Sequence, residues 1–187
     1  MKQNWLPEEL GFLASEETLV KISPHFSTDK IEFMSTTVGP FKAGRNVKVP
    51  LWLALFLHSS QSCAILPPKW LNVSTLKKII LNEKNEKIGL TRIHPFYIEI
   101  SYLFFNHSPL SIQDIDHVRS LISDIWVRRV EKIRSSIMGI KEHTTYTQLP
   151  NATRMEIHYF REPISKIIAL LSSISEKIPN DQQDSMN

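Results

Sequence analysis

"VKVPLWLALFLHSSQSCAILPPKW", running from Val47 to Trp70, is the stretch that decides the fold. It opens with a β-type alternation, Val47-Lys48-Val49, which Pro50 stops. An apolar run follows, Leu51-Trp52-Leu53-Ala54-Leu55-Phe56-Leu57, and the stretch closes on Pro67-Pro68 and Trp70. Seven consecutive apolar residues leave no polar face. As a helix the run must be covered on nearly all sides; as a strand it must be covered on both faces. A bilayer span needs roughly 20 apolar residues, so protein has to cover this one.

Upstream, the chain reads as a small β-rich module. Residues 5 to 17 carry Leu6, Leu10 and Leu13 at helical spacing. Leu19 to Ile22 alternates and is ended by Pro24; Asp29 to Met34 puts Ile31 and Phe33 on one face. "VGPFKAG" at 38 to 44 is rich in turn residues, and Val47 to Val49 is a third strand. A module of about 50 residues buries too little surface to be more than marginal by itself.

Downstream, the period becomes helical. Val73 to Glu86 carries Val73, Leu76 and Ile80 on one stripe, with Asn72 or Ser74 as its cap. Pro95 stands at a first helical position before Phe96 to Asn106. Ser111 and Asp114 have capping-box spacing ahead of the longest element, Ile112 to about Lys141. Its apolar residues include Ile115, Val118, Ile122, Ile125, Trp126, Val130, Ile133, Ile137 and Ile140, and its length would be roughly 45 Å. Pro150-Asn151 breaks the chain, and Thr153 to Glu156 repeats the capping-box pattern. A final helix carries Ile164, Ile167, Ile168, Leu171, Ile174 and Ile178, and Pro163 is expected to kink or restart it. The polar tail 179–187 is expected to be disordered. The predicted class is α+β: a small β-rich module with a leading helix and hinge over 1–62, and a mainly helical module over 63–178.

Chemistry is sparse. The 187 residues carry a formal net charge of +3, too mild to point to nucleic acid without clustering. Cys63 is the single cysteine, which excludes an internal disulfide and polythiolate zinc sites and fits a reducing compartment. The acidic N-terminus lacks the apolar core of a signal peptide, so the Asn72 and Asn151 sequons are not expected to be glycosylated. "GPFKAGRN" at 39 to 46 puts Arg45-Asn46 where a phosphate loop needs Lys and Ser or Thr, and a strand follows it. The seven histidines show no helical metal spacing, and neither a nucleophile elbow nor a catalytic carboxylate pair appears. No cofactor, metal or catalytic residue is assigned.

Two features remain. Arg128, Arg129, Lys132 and Arg134 cluster in the long helix. With Glu131 among them a solvated face is the ordinary reading; a DNA or acidic-partner contact is the sharper one, and a chain acting alone on nucleic acid is its extreme form. The second feature is apolar excess. The 51–57 run, the Phe96–Phe105 segment and the isoleucine-rich last helix all need cover, which points to an obligate subunit completed by partner chains. A monomer with an ordinary helical core is the alternative.

Several motifs resemble one family as an ordered set. They are Val49 to Ala54, Cys63 and Leu66 to Trp70, with "GFLASEETLVKI", "PHFSTDKI" and Gly39 to Phe41 upstream. "PFYIEI", Asn106-His107, Trp126 and "TRMEI" at 153 to 157 lie downstream, so roughly residues 10 to 175 are covered. The set resembles the second-subunit branch of the Psf family of GINS, the four-subunit replication complex of eukaryotes. The resemblance implies a β-rich B-domain, a helical A-domain and a nuclear, non-catalytic scaffold. It implies three sister subunits as partners, with the Mcm ring, the Cdc-type helicase cofactor and replicative polymerase machinery beyond them. Direct DNA contact is a weak expectation and membrane contact is not expected. Hinge and interface candidates are Pro50, Leu51, Trp52, Leu53, Leu66, Pro67, Pro68, Trp70 and Trp126. The chain departs from the family pattern at His58 to Ala64, which lacks the usual Lys and Arg, at Ala43, and at Pro163.

Overall fold

A computed structural model describes residues 8–34, 36–86, 89–138 and 150–175. The chain is α+β. Helix α1 (Glu8–Glu17) leads into strand β1 (Leu19–Pro24), and a short hairpin of β2 (Ile31–Glu32) and β3 (Thr37–Val38) follows. Strand β4 (Val47–Pro50) runs directly into α2 (Leu51–Ser59), and β5 (Cys63–Leu66) closes the first module. The helical module comprises α3 (Val73–Asn85), α4 (Tyr97–His107), α5 (Ile115–Met138) and α6 (Arg154–Ser175).

Strand β1 is the centre of an antiparallel three-stranded sheet, ordered β4-β1-β5. Val20 pairs with Val49 and Ile22 with Ile65, and all four side chains are buried. Alternation therefore set the register, because a slip of one residue would turn each of them to water. Strand β5 is a departure from expectation. Cys63 to Leu66 belongs by pairing to the β-rich sheet rather than to the helical part.

The apolar run forms α2. Pro50 ends β4 in an extended conformation, and the Leu51 amide donates to Thr18 O at 2.8 Å, which ties the first helical residue back to β1. Leu51, Leu53 and Ala54 are buried, and Phe56 is 64% exposed. The expectation of cover on nearly all sides thus fails on that side. The residues that cover α2 come from both modules: one continuous core joins Val20, Ile22, Val49, Leu51 and Leu53 to Leu76, Tyr97, Ile100, Phe104, Ile122 and Ile125. Gly39 has φ +107°, and a Cβ there would stand 3.3 Å from Asp29 O and Lys30 Cα, so the turn that delivers buried Phe41 requires glycine.

Helix boundaries follow local chemistry. Asn72 caps α3, its Oδ1 accepting from the Thr75 amide at 2.8 Å, a contact worth about 1 kcal/mol. Helix α4 starts at Tyr97, after a turn in which the Tyr97 amide donates to His94 O, so Pro95 precedes the helix. The first capping box does not form. Ser111 Oγ donates to Ser108 O in a 3₁₀ turn, Asp114 has φ +53°, and α5 starts at Ile115. The second forms by half. The Thr153 amide donates to Glu156 Oε2 at 2.8 Å, and the Thr153 hydroxyl makes no hydrogen bond to a described residue. Helix α6 runs through Pro163, an exposed position, without ending. The expected helical residues 5–7 and 139–141, the end of the last helix beyond 175 and the 179–187 tail lie outside the described residues.

Candidate assembly surface and the charge network behind it

Along α5 the buried stripe runs Val118, Ile122, Ile125, Arg129, Ile133, at steps of four, three, four and four. An arginine thus occupies a core position. It is fully buried, and it joins three helices. Its Nε and Nη2 donate to Glu156 Oε1 and Oε2 of α6 at 2.6 and 3.0 Å, and its Nη1 lies 3.4 Å from Glu83 Oε2 of α3. The remaining donors reach backbone carbonyls: Nη1 to Thr91 O at 2.9 Å and Nη2 to Asn151 O at 2.8 Å. Tyr97 of α4 donates its hydroxyl to Glu156 Oε1 at 3.1 Å. Lys132 donates to Glu83 Oε1 at 2.9 Å and to the carbonyls of Glu83 and Glu86. Two cations and two carboxylates therefore balance, and the last turn of α3, the middle of α5 and the first turn of α6 are locked together. A buried charge is tolerated on these terms, with its partners and hydrogen bonds in place.

Protonation follows. Burial alone would raise the Glu83 carboxyl, but hydrogen bonds from Thr91 and Lys132 and the charge of Arg129 outweigh it and hold it below the usual carboxylate range. Burial likewise opposes the charge of Arg129, and the bond to Glu156 more than restores it. Tyr97 is pushed upward, first by burial and then by the Glu156 charge. Glu99 of α4 behaves differently. It is fully buried, neither of its carboxylate oxygens has a hydrogen-bond partner among the described residues, and burial pushes it up to about 7.

This network corrects the reading of the basic cluster. Arg129 is unavailable to any external partner, and Lys132 is half-buried and committed to Glu83. Arg128 and Arg134 are exposed, but six residues place them about 120° apart around the helix. They do not form one patch.

Of the three apolar segments, the 51–57 run and Phe96–Phe105 are covered largely within the chain, whereas the excess of the last helix is on the surface. Beyond Phe160 every residue of α6 up to Leu170 is exposed except half-buried Ile164. Ile167 is 46%, Ile168 61% and Leu170 63% exposed. Nearer its start, Ile157 and Tyr159 also face outward, and Val127 does so on α5. Trp126 packs its half-buried ring edge-on to Tyr159 at 5.6 Å, and Tyr159 does the same to Phe160 at 5.2 Å. Open clefts flank α6: one of about 510 Å³ bounded by Ile133, Phe160 and Ile164, another of about 1040 Å³ reaching Val130, Ile137 and Ile167. Isolated exposed apolar residues are ordinary, but a contiguous helix face of them marks an interaction site.

The hinge candidates lie elsewhere. Pro50, Leu51 and Leu53 are buried in the shared core; Trp52 is half-buried, its ring edge-on to Phe33 at 5.3 Å. Leu66 is partly exposed, Pro67 and Pro68 are half-buried, and Trp70 stacks on His94 at 5.6 Å. The arginine-poor turn after α2 is closed internally, His58 Nδ1 lying 3.1 Å from Cys63 O. Among the described residues no group of three potential metal ligands comes together, and no helix is long and apolar enough to cross a membrane. Sequence reasoning missed Glu83, Tyr97, Glu99 and Glu156. The one available signal was the position of Arg129 on the apolar stripe.

Comparison with known proteins agrees with this layout. The sequence profile described as the PSF2 N-terminal domain matches residues 6–66, and that of the GINS complex protein helical bundle domain matches residues 70–175. The chain is 39% identical over 151 residues to a human protein named DNA replication complex GINS protein PSF2, covering 80% of this chain and 81% of that one. A Xenopus laevis protein of the same name is 34% identical over 181 residues, covering 94% and 97%. One from Candida albicans is 30% identical over 190 residues, covering 98% and 92%.

Proposed function

Since the chain belongs to the PSF2 family of GINS proteins, we propose that it is a non-catalytic structural subunit of a GINS complex and acts in DNA replication. Its partners are three sister subunits, its site of action is the nucleus, and the assembly serves the replicative helicase during initiation and elongation. The Mcm ring, the Cdc-type helicase cofactor and replicative polymerase machinery are the contacts expected of the whole complex.

The observation that carries this reading is the exposed isoleucine face of α6 beside the clefts toward α5. A helix half exposed all round gains little from its own chain, and an obligate interface resembles a domain core cut in two. Sister subunits are the occupants the family offers. The reading as a nucleic-acid-binding protein acting alone is weaker, because Arg129 and Lys132 are spent inside the fold.

Co-expression with and without the three sister subunits is the test. One four-chain particle by intact-assembly mass measurement, with aggregation of the chain expressed alone, is the expected result. A soluble, monodisperse monomer that ignores the sister subunits would overturn it.

A further inference from the structure

The outer face of the β-sheet carries like charges directly opposite one another. Lys21 of β1 is the register partner of Lys48 on β4. Such a pair destabilises a sheet unless an anion offsets it. Neither lysine, nor Lys69 just beyond β5, forms an ion pair with a described residue. All three line one cavity of about 320 Å³, and its lining includes no acidic residue.

The rest of the lining is of another kind. Leu19, Leu66, Pro67 and Pro68 supply an aliphatic strip between the lysines, and Leu19 is 62% exposed. Trp70 and His94 close one wall, stacked on each other. Thr18 also lines the cavity; its side chain is buried and its hydroxyl makes no hydrogen bond to a described residue.

We propose that this groove docks an acidic segment of a partner protein, an extended stretch in which carboxylates alternate with aliphatic or proline side chains. Lysines are point charges and meet single carboxylates well. The aliphatic strip takes the alternate side chains. Single-stranded nucleic acid fits less well, because stacking platforms need free aromatic faces, and here Trp70 is half-buried against His94. The groove is formed by β1, β4 and the β5–α3 connection with His94 of the helical module. Its occupation is independent of the α6 face.

The test is fluorescence anisotropy with the full chain, in the assembly in which it purifies. The probe is a short fluorescein-labelled peptide alternating glutamate with leucine and proline. A lysine-containing counterpart and a labelled single-stranded oligothymidine serve as comparison probes. The acidic peptide is expected to bind, to weaken as salt rises, and to lose at least about tenfold in affinity in Lys21→Glu/Lys48→Glu/Lys69→Glu. Should the triple variant fold poorly by circular dichroism, the surface variants Lys48→Gln and Lys69→Gln are each expected to weaken binding by a factor of about three. Absence of binding, equal binding of both peptides, undiminished affinity in the variants, or preference for oligothymidine would each overturn the proposal.

Discussion

Arg129 and Glu156 meet through two parallel hydrogen bonds, Nε to Oε1 at 2.6 Å and Nη2 to Oε2 at 3.0 Å, with both side chains fully buried. Forked pairs of this kind depend on the planar guanidinium. Arg129→Met leaves Glu156 buried without its cation and Glu83 with Lys132 alone, and is expected to cost about 3–5 kcal/mol. Arg129→Lys keeps the charge but loses the fork, and is expected to recover only part. Urea denaturation of the purified assembly, with exposed Arg128→Met as a control near zero, provides the measurement. Equal stability of the two methionine variants would show that the network contributes nothing.

Glu99 sets a pH dependence of definite sign. Its carboxyl is raised from 4.5 to about 7 in the folded chain. The folded state therefore binds a proton more tightly than the unfolded one. The stabilising contribution is complete below about 4.5 and is lost as pH rises through about 7. Glu99→Gln removes that loss and is expected to stabilise the chain by about 2–3 kcal/mol at pH 8 with little effect at pH 4. Glu83 runs the other way: its lowered carboxyl favours folding above the ordinary carboxylate range, and that contribution falls away in acid. Thermal melts across pH 2–8 separate the two residues, Glu83 acting at the acid end and Glu99 as pH rises toward neutrality.

The half-formed capping box at the start of α6 makes a sharp contrast. Thr153 uses its amide toward Glu156, whereas its buried hydroxyl lacks a partner. Thr153→Val is therefore expected to be neutral or slightly stabilising, within about 0.5 kcal/mol. A loss of 1 kcal/mol or more, the usual cost of removing a capping side chain, would mean that the hydroxyl does cap the helix.

On the exposed half of α6, Ile167→Glu/Ile168→Glu is expected to leave the chain's own helicity unchanged and to abolish co-elution with sister subunits. Two carboxylates buried in an apolar interface cost several kcal/mol. Intact assembly in gel filtration would move the interface elsewhere.

Trp52 is half-buried and rests its ring edge-on against Phe33. Trp52→Ala should cost about 2 kcal/mol, below the 3–5 kcal/mol of a fully buried tryptophan. Chemical denaturation checks this, and assembly with sister subunits should survive.

The parts of this fold that a reader of the sequence can see are those decided locally. Alternation around Val20 and Ile22 gave β1, and steps of three and four gave α5, because period alone distinguishes these states. Strand β5 has no such signal. Cys63 to Leu66 is four residues before two prolines, and its pairing is with residues some forty positions earlier. The charge network was hidden for a related reason. Arg129 looks solvated beside Arg128 and Glu131, and only burial by α3 and α6, distant in sequence, gives it Glu83 and Glu156 as partners. The apolar face of α6 was legible as an excess. Its direction was not, since helical period says which residues share a face and nothing about what covers them.

Helix α6 is held by its first turns, with half-buried Ile164 the last inward contact among Arg161 to Leu170, which makes it a cantilever. Glu156 is the clamp and Leu170 lies roughly 20 Å along the beam. A tilt of about 5° at the clamp moves Leu170 by about 2 Å at that helical rise, enough to misalign close-packed side chains. Alignment of the exposed α6 face is therefore set by Arg129 and Glu83, residues that lie wholly inside the fold.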